Sequence, residues 1–245
     1  MKGLILAGGK GTRLYPTTKV VNKHLLLIYD KPMIFYAIET LRDAGITNII
    51  ISLSDDEPGH FMKLLGKGEE LGVKLSYVIH GEPKGIAYGI WEAKHLLRGE
   101  PFVVYLGDNI FTESIKGHID YFKKHKKPLV LLKKVDDPSR YGVVEFIKTN
   151  YGKRIKRFVE KPRDPPSKFI ILGVYCLTDQ FFKIYPKLKP SKRGEYEITD
   201  ALNLLLPVGY TYYWGGWFDC GVFEDLYKAS KWRREVVLSQ HVKSV

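Results

Sequence analysis

The 245-residue sequence predicts an α/β fold: a doubly wound, mostly parallel sheet with helices on both faces. Three observations carry that expectation. Apolar runs of strand length alternate with segments of helical apolar spacing as far as residue 109. The first run feeds a glycine-rich turn. Strand-like runs then crowd together from residue 128 onward, which mixes the sheet.

Taken in order, Gly3-Leu4-Ile5-Leu6-Ala7 is a short buried strand. "MIFYAIETLRDAG" (33–45) has helical spacing, with Pro32 leading in and Gly45 placed as a stop. A strand over 48–53 precedes a helix over 55–66 that carries acidic residues at its start and Pro58 in its first turn. A strand (74–79), a helix (85–97) and a strand ending on an acidic residue (102–109, "FVVYLGDN") follow. Beyond them, 128–135, 141–147, 154–160 and 168–177 are strand-like, 194–206 is a helix, 210–214 a strand and 223–237 a helix. No repeat, low-complexity tract or linker divides the chain, so one domain over 1–245 is expected. Its sheet is Rossmann-like and mixed, with the ligand crevice at the carboxyl ends of the parallel strands.

Composition narrows the function classes. Two cysteines are too few for a disulfide framework and fit a reducing compartment. No stretch approaches the ~18 apolar residues of a membrane span, and the N-terminus lacks the layout of a signal peptide, so a cytoplasmic protein without membrane association is expected. The net charge of +12 lies wholly in the second half, in "KKHKK" (123–127), "KRIKR" (153–157), "KLKPSKR" (187–193) and "KWRR" (231–234). These runs are scattered and poor in interleaved aromatics. Solvated faces explain them better than a nucleic-acid surface, and an anionic small substrate also profits from such a field.

The stretch "LILAGGKGTRLYP" (4–16) asks for bare backbone followed by a guanidinium. Glycine allows close approach of a ligand to the main chain, successive amides form an anion-binding concavity, and Arg13 adds a planar fork of donors matched to phosphate. The dinucleotide pattern fails because Leu14 stands where glycine is needed, and the P-loop pattern finds no match. By itself the stretch is equally a tight turn. Asp108, at the end of an apolar strand, and Asp219, in "GGWFDCG", are each either capping or turn aspartates or carboxylates for a metal beside phosphate.

Seven segments in order resolve these alternatives: Gly8-Gly9-Lys10-Gly11-Thr12-Arg13-Leu14-Tyr15-Pro16 with Lys23; Asp30-Lys31-Pro32-Met33; Gly107-Asp108-Asn109-Ile110-Phe111; Tyr141-Gly142-Val143-Val144; Glu160-Lys161-Pro162; Gly194-Glu195-Tyr196-Glu197-Ile198-Thr199-Asp200; and Asp219-Cys220-Gly221. From residue 2 to about residue 235 the chain resembles the sugar-1-phosphate nucleotidyltransferases, and among them the glucose-1-phosphate thymidylyltransferases. The resemblance implies transfer of a nucleotidyl group from a nucleoside triphosphate, dTTP or UTP, to glucose 1-phosphate, with release of pyrophosphate. It implies Mg²⁺ on Asp108 and Asp219, a homo-oligomer (dimer or tetramer), and no nucleic-acid partner. It assigns Leu6, Gly8, Gly9, Gly11, Thr12, Arg13, His80 and Gly85 to the nucleotide, and Tyr141, Gly142, Glu160, Lys161 and Val174 to the sugar phosphate. Arg13, Lys23 and Asp108 are its catalytic residues.

Elementary chemistry agrees with that reaction. The nucleophile is a phosphate monoester oxygen, already largely ionised at pH 7 because its second pKa is about 6, so no general base is needed. Catalysis reduces to alignment and charge neutralisation around the α-phosphorus. A nucleotide-sugar-dependent glycosyltransferase of related fold would call for a D-x-D carboxylate pair, and Gly107-Asp108-Asn109 supplies none. A basic nucleic-acid-binding module is the other class, marked by steep salt dependence without a need for Mg²⁺.

Several residues depart from the family or stay outside its chemistry. His24 and Leu27 replace glutamine and proline of the usual K-Q-L-L-P run, and His80 and Tyr88 replace glutamines further on. A neutral histidine engages one base atom where a carboxamide engages two, so pyrimidine discrimination is expected to loosen. Longer bacterial members continue into a helical extension that builds a regulatory nucleotide site, and control through such a site is not among the expectations for this sequence. Cys220, Trp214 and Trp217 are expected to pack, the histidines lack zinc-ligand spacing, and Arg193 and Glu195 either touch the sugar or begin the helix.

Overall fold

The computed structural model describes residues 1–56, 58–150 and 152–243. Strand β1 (Lys2–Leu6) runs into the glycine-rich loop and three single 3₁₀ turns, at Thr12–Leu14, Thr17–Lys19 and Lys23–Leu25. A small hairpin, β2 (Leu27–Ile28) and β3 (Lys31–Pro32), leads to α1 (Met33–Asp43). The βαβ series continues with β4 (Asn48–Ser54), α2 (Pro58–Leu65), β5 (Lys74–His80), α3 (Ile86–Glu92), α4 (Lys94–Leu97) and β6 (Phe102–Leu106). Then come β7 (Asn109–Phe111), α5 (Lys116–His125), β8 (Leu129–Lys134), β9 (Gly142–Thr149), β10 (Gly152–Glu160) and β11 (Phe169–Leu177). The chain ends with α6 (Gln180–Ile184), α7 (Ile198–Leu204), β12 (Gly209–Tyr212), β13 (Trp217–Asp219) and α8 (Phe223–Lys243).

The central sheet is parallel through β6, β1, β4 and β5, and is continued by β11 antiparallel to β6. Strand β11 takes β8 on its other edge, β12 pairs parallel with β8, and the β9–β10 hairpin joins β11 where Ile170 meets Val143. Period-two alternation makes the fold doubly wound. Leu4, Ile50 and Val104 face a core closed by α3, α4, α6 and α7, whereas Ile5, Ile51 and Val103 face one closed by α1, α2 and α5. A third, smaller cluster of Ile28, Met33, Tyr36, Ile110, Cys220 and Ala229 seats α8, so Cys220 packs as expected. Among the described residues, no helix is long and apolar enough to cross a membrane.

Differences from the sequence expectations have local causes. The strand expected over 102–109 stops at Leu106, because Gly107 donates its N–H to the Leu6 carbonyl (3.0 Å) and the chain then leaves the sheet to pair β7 with β13. Asp108 therefore stands in a turn. The helix expected over 194–206 begins only at Ile198: Gly194 has φ 76°, and Tyr196 donates its N–H to the Lys84 carbonyl (2.7 Å), holding 194–197 as a loop. The helix expected over 55–66 begins at Pro58, and Glu57 lies outside the described residues. Trp214 does not pack into the core; its side chain is 80% exposed beyond the end of β12. Helix α5 and the ribbon of β7 with β13 were not expected at all.

The Lys23–Leu25 turn has a chemical cause that bears on the site. Asn22 accepts the His24 backbone N–H through its side-chain oxygen (3.0 Å) and also meets His24 Nδ1 at 2.8 Å, fixing the turn that delivers Lys23 beneath the loop. His24 is 2% exposed, and burial, with the neighbouring Lys23 charge, pushes its pKa down to about 3. The unfolded chain protonates this ring near pH 6.5 and the folded chain only near pH 3. Unfolding therefore takes up a proton between those values; the contribution is fully present above pH 6.5 and declines as acid is added. Urea unfolding of the wild type at pH 7.5 and pH 5.0 is expected to show a loss of about 2 kcal/mol from this group, at ~1.4 kcal/mol per pH unit. His24→Gln, which cannot titrate, should lose correspondingly less; an identical pH dependence in the variant would remove the assignment.

Candidate active site

A cavity of about 800 Å³ opens at the carboxyl ends of β1, β4, β5 and β6, where an open α/β sheet leaves its crevice. Leu6, Gly8, Gly9, Gly11, Thr12 and Arg13 form one wall. Gly11 has φ 62°, a conformation that favours glycine, and the loop rests on Lys23: a Cβ at Gly9 would lie 3.5 Å from Lys23 Cε. The Arg13 guanidinium is seated over Gly221, where a Cβ would come within 2.6 Å of Nη2.

At the centre Lys23 Nζ is ion-paired to Asp108 Oδ2, with both side chains largely buried. Burial works against the Asp108 charge, but Lys23, His24 and the hydrogen bond from Asn109 Nδ2 (3.0 Å) outweigh it and hold the carboxyl well below the usual range. Asp219 lies on β13, in register with Asn109. Burial and the Asp108 charge push its pKa up to about 6. Two carboxylates thus face one cavity, the second lacking full compensation, which is the charge pattern that a hard cation relieves. Among the described residues no group of three or more His, Cys, Asp or Glu is placed to hold a metal ion, so further ligands would be phosphate oxygens or water, as suits Mg²⁺. Burial raises the Cys220 thiol pKa and keeps it protonated, so it offers no thiolate for a softer metal.

One end of the cavity is rich in hydroxyl-reading groups. Tyr141, Gly142, Glu160 and Lys161 converge there, with Lys161 in a left-handed conformation (φ 40°) and its N–H donated to the Tyr141 carbonyl (3.0 Å). Glu160 accepts from Thr199 Oγ1 (3.2 Å); burial and the Glu197 charge raise its pKa. Arg193, left open between sugar contact and helix start, lines the cavity and lies 3.5 Å from Glu160, 3.3 Å from Glu195 and 2.9 Å from Glu197. Glu195 lines it too. Val174 does not: alternation along β11 turns its side chain into the core and puts Gly173 and Tyr175 on the cavity wall.

His80 and Gly85 line the cavity with a more apolar set, Leu6, Ser52, Ile86, Tyr88, Gly89 and Leu106. Gly85 has φ 98°, and a Cβ there would lie 2.7 Å from the Tyr196 carbonyl, so only glycine fits this bend. The Ser52 hydroxyl is buried in the floor without a partner.

Sequence reasoning passed over Asn109 and Trp217 as site residues. Asn109 Oδ1 accepts from Trp217 Nε1 (2.8 Å) and from the Gly173 N–H (3.2 Å), while its amide donates to Asp108. The adjacency of Asn109 to Asp108 was the available signal. The basic runs do not converge on one element: Lys156 and Arg157 pair with Glu145, Arg233 pairs with Asp30, and Arg193 lies in the cavity.

Comparison with known proteins agrees with this arrangement. The family model described as nucleotidyl transferase matches residues 2–235. A glucose-1-phosphate thymidylyltransferase of Xanthomonas campestris is 38% identical over 251 residues, covering 98% of this chain and 82% of the relative. The low-salt glycan biosynthesis nucleotidyltransferase of Haloferax volcanii is 35% identical over 236 residues, covering 94% of this chain; the chain spans only 65% of that relative's length. A Bacillus anthracis crystal structure assigned as a glucose-1-phosphate thymidylyltransferase, in complex with sucrose, superposes with a TM-score of 0.88 at 39% identity, covering 96% of this chain and 95% of the other. UDP-glucose pyrophosphorylase complexed with UDP-glucose gives 0.85 at 30% identity, with 96% and 98% covered. The chain belongs to the nucleotidyl transferase family, as a sugar-1-phosphate nucleotidyltransferase.

Proposed function

We propose that this enzyme joins dTTP, and less well UTP, to glucose 1-phosphate by Mg²⁺-assisted in-line attack, releasing pyrophosphate. The observation that carries this reading is the set of groups brought into one cavity: Gly8 against His80, the glycine loop against the Lys23 that is ion-paired to Asp108, Asp219 on the same lining, and Glu160 and Lys161 with Tyr141. Those groups suit a base beside His80, a triphosphate on the loop, the reacting phosphorus near Lys23 and Asp108, and a sugar phosphate at Lys161.

The loop amides and Arg13 bind the triphosphate, while Lys23 places its charge beside the α-phosphate. Lys161 holds the phosphate of the sugar substrate, and Glu160 with Tyr141-Gly142 orients the sugar hydroxyls. Asp108 and Asp219 would hold Mg²⁺, which neutralises charge building on the phosphate oxygens. Apposition of two bound substrates is the main source of rate, since the attacking oxygen is already ionised.

A matrix of nucleoside triphosphates against sugar 1-phosphates, followed by pyrophosphate release, tests the proposal as a whole. dTTP should be used best, with UTP within about tenfold, on the scale of one hydrogen bond. Preference for ATP or GTP would place the base elsewhere. Asp108→Asn should cost several orders of magnitude in turnover while circular dichroism shows the fold intact, because the lost charge acts on the transition state; near-normal turnover would remove Asp108 from the chemistry. Lys161→Ala should chiefly raise the KM for the sugar 1-phosphate, and Arg13→Ala that for the triphosphate. The reverse pattern would mean that the two ends are exchanged.

A further inference from the structure

Lys10 and Glu82 form an ion pair, with Nζ 2.8 Å from Oε1. Both residues line the cavity, and their side chains are 48% and 76% exposed, so the pair lies at its rim. The partners are 72 residues apart, one in the glycine-rich loop and the other just beyond β5. The same two segments also meet two residues earlier in each, where a Cβ at Gly8 would lie 3.0 Å from His80 Cε1. The loop is thus tied to the segment leaving β5 twice, once by close packing and once by charge.

Three cations stand along this loop, and they differ in what holds them. Lys23 is ion-paired to Asp108 with both side chains largely buried, so parting them would strand a charge away from water. The Arg13 guanidinium is seated over Gly221. Lys10 is under neither constraint. The hydrogen bond and charge of Glu82 raise the Lys10 pKa, and those of Lys10 lower that of Glu82, yet an exposed pair is weak because water solvates both groups once they part. The ammonium rides on a flexible four-carbon stem between Gly9 and Gly11, so it can change partner by side-chain rotation alone. A polyphosphate chain offers it several charged oxygens where Glu82 offers one carboxylate.

We infer that Lys10 is a further triphosphate-binding residue and that Glu82 is its competitor within the protein: a nucleoside triphosphate on the glycine-rich loop takes the ammonium from Glu82, whose carboxylate returns to water. The inference rests on the reading that the triphosphate lies on this loop. Glu82 lowers the affinity for polyphosphate by as much as the pair contributes, and it acts on pyrophosphate as it does on the triphosphate from which pyrophosphate comes. As pyrophosphate leaves, the pair re-forms, which favours product release.

The test is a double-mutant cycle on the full chain, read by calorimetric titration with dTTP and Mg²⁺ in the absence of sugar 1-phosphate. Both side chains are exposed, so the variants should keep the fold, which circular dichroism checks. Glu82→Gln should tighten dTTP binding by about 1.5- to 5-fold, the range of an exposed ion pair. It should lower the inhibition constant for pyrophosphate by the same factor; an unchanged constant overturns the role in release. Lys10→Met should loosen dTTP, and in that background Glu82→Gln should have no effect. Raising the ionic strength should erase the difference between the wild type and Glu82→Gln, because an exposed pair is screened. An equal gain in both backgrounds would mean that Glu82 repels the triphosphate directly, and a loss of affinity in Glu82→Gln would mean that the pair is a strut shaping the loop; either result overturns the inference. Arg13→Ala separates the inference from the reading beneath it. If that variant loosens dTTP while Lys10→Met does not, the triphosphate lies on the loop and Lys10 is not its ligand. If neither changes the affinity, the triphosphate lies elsewhere and both fall.

Discussion

The ion pair between Lys23 and Asp108 is the contact on which the site's other geometry hangs. It joins the 3₁₀ turn at Lys23–Leu25 to the turn leaving β6, two parts of the chain 85 residues apart. A buried pair of this kind contributes little net stability against apolar packing, but removing either partner strands a charge in a low-dielectric place and costs about 3–5 kcal/mol. Its geometry is therefore strongly enforced. Lys23 supports the glycine loop from below, and Asp108 is turned by Asn109, which itself ties Gly173 of β11 to Trp217 of β13. Four separate segments are in this way held in one register around a single carboxylate.

The same contact sets the charge state of the crevice. Lys23 keeps Asp108 ionised despite burial, and that ionised neighbour helps to push Asp219 up toward neutral pH. The pair is thus electrostatically asymmetric before anything binds: one carboxylate is fully charged, and the other's charge is costly. A dication held there would favour the ionised form of both.

Much of this was legible in the residues. Strands β1, β4, β5 and β6 and helix α1 fell where apolar periodicity put them, and Gly45 ends α1 with φ 79° as a stop glycine should. Asp108, Arg13, Glu160 and Lys161 line one cavity and each lies within two residues of a glycine or proline that marks a loop at a strand end; Lys23 joins them without such a neighbour. Less legible were elements that lean on distant partners. The three residues of β7 carry no period of their own and exist because β13 supplies hydrogen bonds from more than 100 residues away. The loop before α7 looks helical until the Lys84 carbonyl takes the Tyr196 N–H.

What the sequence determined by itself is the alternation of strands and helices, the bare loop after β1 and the set of charged residues a phosphate chemistry needs. These depend on side-chain period and local backbone preference, which are properties of near neighbours in the chain. Only the tertiary structure decided that Asp108 stands in a turn beside the Asn109–Asp219 pair, and that Val174 faces the core while Gly173 and Tyr175 face the cavity. Both outcomes depend on where a hydrogen-bonding partner from elsewhere in the fold comes to lie: the Cys220 N–H on the Asp108 carbonyl, and β6 and β8 along β11. Residue type sets what a group can donate or accept, and the fold sets which of those capacities is left free.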